Sequence, residues 1–309
     1  MKSAQELSFH DELRNYFNEK MIISGIKDPD IDDLEIWTKE FQEIYNNRGV
    51  DDFEGFSPTQ MRDITYNLWC EKFPINFRKL ADEDFKQIPI FCQVEALLNI
   101  LVREGKIKLT ATGALPRKYV QEIYPYGVPY EYIEDISKIN REHDCSTVVI
   151  THILAKLTKV VDIQKGTMTL SNIGKKMLQD KQSLLESMIK SFTTKLNFAY
   201  FDRYHSDNIG MFACAFSIIL MAKYGDKELS CNFYSNKYFQ AFPAMKEDYT
   251  FRSSYFEDDL LACYKRRTFD IFFENFGLIT YTKRNNCHDR KAILKKTKIF
   301  DKIFDVEFP

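Results

Sequence analysis

Glycine and proline are scarce in this chain, at 11 and 9 of 309 residues. That is too little for a linker-rich, fibrous or low-complexity protein. No glycine loop for phosphate is present, neither GxGxxG nor GxxxxGKS/T, and no HExxH or GxSxG appears. The seven cysteines, at 70, 92, 145, 214, 231, 263 and 287, are scattered, odd in number and never form CxxC. This spacing argues against a disulfide frame or a zinc site, and for lone buried thiols in a reducing compartment. The longest uncharged apolar run, IGMFACAFSIILMA at 209–222, has fourteen residues. A membrane span takes about 20, so this run is expected to be a helix buried on nearly all sides. The opening MKSAQELSFHDELRNYF is charged and lacks the apolar stretch of a signal peptide. A cytoplasmic protein without a membrane segment is expected.

What the chain has is apolar mass. Apolar residues make up 44% and aromatic ones 15%, with 26 Phe and 17 Tyr, enough for a large core. The length allows two or three domains. Charge is unevenly distributed. Residues 1–87 carry 11 basic and 19 acidic side chains, a balance of −8, whereas 88–181 and 182–309 are each at +3. Within the last segment, residues 260–302 hold 11 basic and 4 acidic side chains, or +7. Such separation points either at a polyanionic partner or at one end of the protein neutralising the other.

Helical periodicity dominates. Apolar residues at spacings of three and four mark helices over 5–20 and 31–47, the second capped by Asp30. Ser57-Pro58-Thr59-Gln60 has the form of a helix start, with Ser at the N-cap, Pro at N1 and Gln at N3, and that helix should run to about Trp69. Residues 73–84 read as an irregular acidic connection. A strong helix over 89–104 ends at Gly105 and is followed by a short alternating stretch at 106–110 and a helix through Tyr124. The same order returns with a helix over 146–159 and two alternating stretches, 160–164 and 167–171, around Lys165-Gly166, a hairpin signal. A looser version follows: a helix ending at Gly277, then alternation at 278–282 and 292–295. Helix followed by β-ribbon is the order of a winged helix. The middle copy matches well, and the first lacks its second strand.

Gly55-Phe56-Ser57-Pro58-Thr59-Gln60-Met61, the stretch Leu109 to Lys118 (LTATGALPRK), Phe198-Ala199-Tyr200-Phe201-Asp202 and the tail from Phe276-Gly277-Leu278 to Phe304 together resemble a group of uncharacterised bacterial proteins. Some members of that group carry an appended SEC-C-type zinc motif, which is absent here, since Cys287-His288 has no sequence partners. The resemblance implies no activity and transfers no catalytic residue.

No constellation for catalysis emerges. Glu142-His143-Asp144-Cys145 is expected to be a helix boundary, with Asp144 or Ser146 capping the next helix. The cluster Asp202-Arg203-Tyr204-His205-Ser206-Asp207 is expected to be a polar loop. No cofactor or metal is implied. The fold expected is mainly α with small β-ribbons: an acidic helical region over 1–87, a winged-helix-like domain over 88–181 inside a multi-helix protein, and an aromatic-rich helical domain over 182–309 with a terminal ribbon. The function expected is that of a non-catalytic regulatory or DNA-associated protein. The alternative is a protein–protein interaction scaffold without nucleic acid. Residues expected to meet duplex DNA are Thr151, His152, Lys156 and Lys159 on a recognition helix, Lys165 at the wing, and Lys175 and Lys176 after it. At the C-terminal end the candidates are Arg266, Arg267, Lys283 and Arg284. The isoelectric point of about 6.3 is low for a nucleic-acid binder.

Overall fold

A computed structural model describes residues 9–71, 73–129, 138–198, 202, 204, 206, 208–246, 256–286, 289 and 291–309. The chain divides into two compact units, one ending at residue 63 and including 308–309, the other spanning 64–307. The described residues are mainly helical, with three small antiparallel sheets.

The first unit is built on a helical hairpin of α1 (Phe9–Ser24) and α2 (Ile31–Asn47). Asp30 and Asp33 form a reciprocal capping box at the start of α2, which satisfies two backbone N–H groups. Trp37 and Phe41 are buried from α2. Phe41 packs on Phe9 and Tyr16, and Trp37 packs on Phe17. Glu12 clamps the Arg48 guanidinium with both oxygens. The predicted capping box on the next helix is present: the Gln60 N–H donates to Ser57 Oγ at 3.3 Å, and the Ser57 N–H donates to Gln60 Oε1 at 2.9 Å. That helix, α3 (Pro58–Tyr66), stops short of Trp69.

In the second unit the connection expected to be irregular contains a strand. β1 (Ile75–Phe77) pairs antiparallel with β8 (Phe304–Val306). The one-turn helix α4 (Asp82–Phe85) follows, and its Asp84 carboxylate pairs with Lys302.

Next comes α5 (Pro89–Glu104), ended by Gly105 at φ +72°, then β2 (Ile107–Lys108), α6 (Arg117–Ile123), α7 (Ser146–Leu157), β3 (Val161–Gln164), β4 (Thr167–Leu170) and α8 (Asn172–Met177). Lys165 and Gly166 both have positive φ, +48° and +72°, as a tight primed hairpin turn requires. β2 pairs with β4, so the sheet order is β2-β4-β3. The lone strand of the first copy is therefore the third strand of the second copy's sheet. α7 is capped by neither Asp144 nor Ser146: its N-cap is Cys145, which makes no side-chain bond, and Asp144 instead accepts from the Asn140 and Arg141 N–H groups.

After α9 (Lys181–Lys195), the order repeats as α10 (Cys214–Tyr224), β5 (Leu229–Ser230), α11 (Cys231–Ala241), α12 (Phe256–Tyr264), β6 (Ile279–Lys283), β7 (Ile293–Lys296) and α13 (Lys298–Ile303). The sheet order is β5-β7-β6, the same pattern as before. α12 runs directly into a π-helical segment, Lys265–Phe273. The apolar run is helical only from Cys214: residues 209–213 form turns, with Gly210 and Ala213 at φ +83° and +52°, while all residues from Cys214 to Met221 of α10 are buried. Because residues 214–221 of α10 have no solvent face, polar groups among them pair locally, as Ser217 does with Tyr264 at 2.8 Å.

Four of the described cysteines, at 145, 214, 231 and 263, are buried, while Cys70 is exposed and Cys92 partly so. Burial pushes the thiols of Cys214, Cys231 and Cys263 up to about 12 and that of Cys145 to about 11. Thiolate is the reactive species. In a Cys287→Ser background, a thiol reagent at neutral pH should therefore label Cys70 first, Cys92 slowly, and these four after unfolding. Mass mapping of early adducts checks this, and rapid native labelling of Cys214 or Cys263 would refute the packing.

Candidate nucleic-acid interface

α7 lies between α5 and α9, with the turn at 142–144 against its start. That placement determines what its polar residues can do. Thr151 is fully buried; its hydroxyl lies 3.0 Å from Gln93 Oε1 and 2.9 Å from the Thr147 carbonyl oxygen. His152 is buried with Nδ1 2.8 Å from Glu142 Oε1. The other Glu142 oxygen accepts the Leu115 N–H. Thr151 and His152 thus tie α7 to α5 and to the preceding turn, and neither reaches the surface. The side of α7 that carries them faces inward, because α5 supplies Gln93 and the 142–144 turn supplies Glu142 against it. With α7 buried on most of its surface, its periodicity distinguishes no solvent side.

The lysines lie outside. Lys156, Lys159, Lys165, Lys175 and Lys176 are all exposed. Lys156 and Lys159 close α7, and the chain turns there through Lys159 at φ +58°. Ser171, the N-cap of α8, donates its hydroxyl to the Lys159 carbonyl oxygen at 2.7 Å and its N–H to the Val160 carbonyl oxygen at 3.0 Å. Gly174 presses against the same Val160 carbonyl, leaving no room for a Cβ, which would sit 2.2 Å from the oxygen. These bonds stitch the start of α8 to the end of α7. Two lysine pairs, Lys156/Lys159 and Lys175/Lys176, are thereby brought to one end of the ribbon. Lys165 stands at the other end, on the turn. Exposed Lys108 joins it there through the register Lys108↔Thr167. Sequence reading missed Lys108 because β2 was assigned to a separate copy.

The C-terminal basic residues are arranged differently. Arg267 is fully buried, donating from Nε and Nη2 to the two Asp202 oxygens at 2.7 and 2.9 Å and from Nη1 to the Ile209 carbonyl oxygen at 2.9 Å. Lys265 is also buried, 2.9 Å from Asp270 Oδ2, while the Tyr281 hydroxyl donates to Asp270 Oδ1 at 2.6 Å. The π-helical winding brings residues five apart over one another, which is why Lys265 reaches Asp270. Arg266 lies 3.9 Å from Asp270. Arg284 sits 3.1 Å from Glu274 and 4.5 Å over the Tyr281 ring. Burial raises the Glu274 carboxyl above its usual range, and Arg284 opposes that shift. Lys295, Lys296 and Lys302 pair with Glu228, with Asp226 and Asp301, and with Asp84. Of the four C-terminal candidates, Lys283 is exposed, Arg266 and Arg284 are half-buried, and Arg267 is internal. Four carboxylates from outside residues 260–302 offset part of the local +7, Asp202 in the interior and Glu228, Asp226 and Asp84 in pairs that reach the surface.

No group of three or more metal-ligating side chains converges among the described residues. Arg203, His205, Asp207, Cys287, His288 and Arg290 lie outside them. No described helix is long and apolar enough to cross a membrane.

Residues 86–183 match the family described as the Y4jL N-terminal domain. The match begins just ahead of α5 and ends in the first turn of α9, so the Y4jL-type segment contains the whole β2-β4-β3 sheet and both lysine pairs. No curated protein and no solved structure gives a significant match to the chain. The name Y4jL describes a domain and carries no activity.

Proposed function

We propose that this chain is a non-catalytic binding protein made of two winged-helix-type modules, the Y4jL-type one docking on the phosphate backbone of duplex DNA. The winged-helix reading is supported by the order helix, strand, helix, helix, strand, turn, strand, and by a sheet whose first strand pairs with its last. The second module repeats both features. The observation that carries the DNA reading is the set of exposed lysines at the two ends of the β3–β4 ribbon. Four residues of strand span about 13 Å, close to the width of a major groove, about 12 Å. Lysines at the two ends can then meet phosphates on either side of one groove. Buried Thr151 and His152 take no part, so the binding is electrostatic and carries little base sequence information.

The expected result is a gel shift with random-sequence duplex in dilute salt that weakens steeply as salt rises. Replacing Lys156, Lys159, Lys175 and Lys176 with alanine should weaken binding and flatten the salt slope by about one unit for each phosphate no longer neutralised. These side chains are exposed, so thermal stability should stay unchanged. No shift at micromolar protein in dilute salt would remove the DNA reading. The burial of α7 favours what remains, a protein–protein scaffold without nucleic acid.

A further inference from the structure

Eleven large hydrophobic side chains are exposed among the described residues, and five of them lie in one short hairpin, α1–α2. Ile22, Ile23 and Ile31 are 80, 81 and 75% exposed, and Ile36 and Ile44 are 54 and 58% exposed. A single exposed isoleucine on a surface is ordinary, but a clustered set rimmed by charge marks an interaction site. Ile22 and Ile23 end α1 and Ile31 begins α2, with six residues between the helices, so all three sit at the hairpin tip. They are not needed for the hairpin's own packing, which uses Phe9, Tyr16, Phe17, Trp37 and Phe41 on the inner faces.

The charge around the tip identifies the occupant. Residues 19–35 hold six acidic and two basic side chains, and Lys20 is tied to Glu40. Asp30 and Asp33 are engaged in the capping box, whereas Asp28, Asp32 and Glu35 are exposed, Glu35 with the Lys39 ammonium 3.9 Å away at the surface. Residues 1–63 carry 7 basic and 15 acidic side chains, a balance of −8. A second copy of the hairpin would bring two such charges together, and a nucleic acid or an anionic membrane would be repelled. We infer that the α1–α2 tip docks a basic amphipathic helix of a partner protein. The partner's apolar stripe covers the isoleucines, and its flanking lysines or arginines face Asp28, Asp32 and Glu35.

The test uses the full chain and a fluorescein-labelled amphipathic peptide of about 18 residues, five helical turns, built from leucine and lysine. A leucine–glutamate peptide with the same apolar stripe is its counterpart. Anisotropy should show binding of the lysine peptide and none of the glutamate peptide. The triple variant Ile22→Ser, Ile23→Ser, Ile31→Ser should weaken binding by at least about ten-fold, with circular dichroism and melting temperature unchanged. The variant Asp28→Asn, Asp32→Asn, Glu35→Gln should weaken it less and flatten its salt dependence. The inference is overturned if the two peptides bind equally, or if the isoleucine variant keeps its affinity. A lowered melting temperature in that variant would also overturn it, since the isoleucines would then belong to a core. So would sedimentation showing a wild-type dimer that the isoleucine variant dissolves, because the occupant would then be a second copy.

Discussion

Arg267→Ala should destabilise the second unit by about 3–5 kcal/mol, the cost of breaking a buried ion pair from one side. The guanidinium is fully buried and makes a two-pronged bond to Asp202, plus a third bond to the Ile209 carbonyl oxygen. Alanine would leave the Asp202 carboxylate inside the protein without its counter-charge and strand the carbonyl. Gly210, at φ +83°, comes so close that an added Cβ would lie 2.8 Å from Arg267 Cβ, so the backbone is shaped around this side chain. Lysine keeps the charge but not the planar fork, and Arg267→Lys should fall between wild type and alanine. The double variant Arg267→Met, Asp202→Leu should recover much of the loss, because removing both charges removes the desolvation cost as well. Urea titration followed by circular dichroism measures all three. A loss under about 1 kcal/mol for alanine, the range of an exposed pair, would put the pair in water. The prediction also separates stability from function: an Arg267 variant that fails to bind DNA has failed to fold.

Phe192→Ala should cost about 3–5 kcal/mol and lower the melting temperature by roughly 10 °C, given about 2–4 °C per kcal/mol for a body of this size. Phe192 is 1% exposed on α9. It stacks on Phe272 at 4.8 Å and meets Phe276 and Phe198 edge-on at 5.3 and 5.4 Å. α9 therefore anchors itself in the aromatic core of the second module while covering α7 of the first. Truncating the ring leaves a cavity whose walls are held by their own packing and collapse only in part. Phe192→Leu should lose much less. If α9 is what keeps α7 from solvent, hydrogen exchange of the α7 amides should speed up in Phe192→Ala, and unchanged protection would show that α7 is held by α5 alone.

Local chemistry was readable wherever a few adjacent residues set the backbone. The Ser57–Gln60 capping box, the Gly105 helix end and the Lys165-Gly166 turn depend on side chains and φ angles within four residues of one another, and each is present as read. Burial of the run 209–222 was readable for a related reason, since a stretch without a charge has no side to turn toward water, but its helix begins only at Cys214, after the left-handed Gly210 and Ala213. β1 was not readable. It is three residues long, too short for alternation to register, and it exists because β8 lies beside it at the far end of the chain. The link between β2 and β4 was hidden in the same way, so one three-stranded sheet looked like two separate repeats.

The candidate surface divides along the same line. Composition and spacing by themselves determined that the chain is mainly helical, that its ribbon turns at Lys165-Gly166, and that its basic residues gather in the middle and C-terminal segments. Tertiary structure decided which of those residues face solvent. Thr151, His152 and Arg267 read as polar or basic and hence external, yet each is inside, because a partner of matching chemistry (Gln93, Glu142 or Asp202) arrives from another element. Lys156, Lys159, Lys175 and Lys176 remain exposed, at the end of α7 and on α8, which Ser171 bonds together. The physical reason is that charge is a property of a residue, whereas burial belongs to pairs of elements. A single sequence states the first directly and holds the second only through packing between segments far apart in the chain.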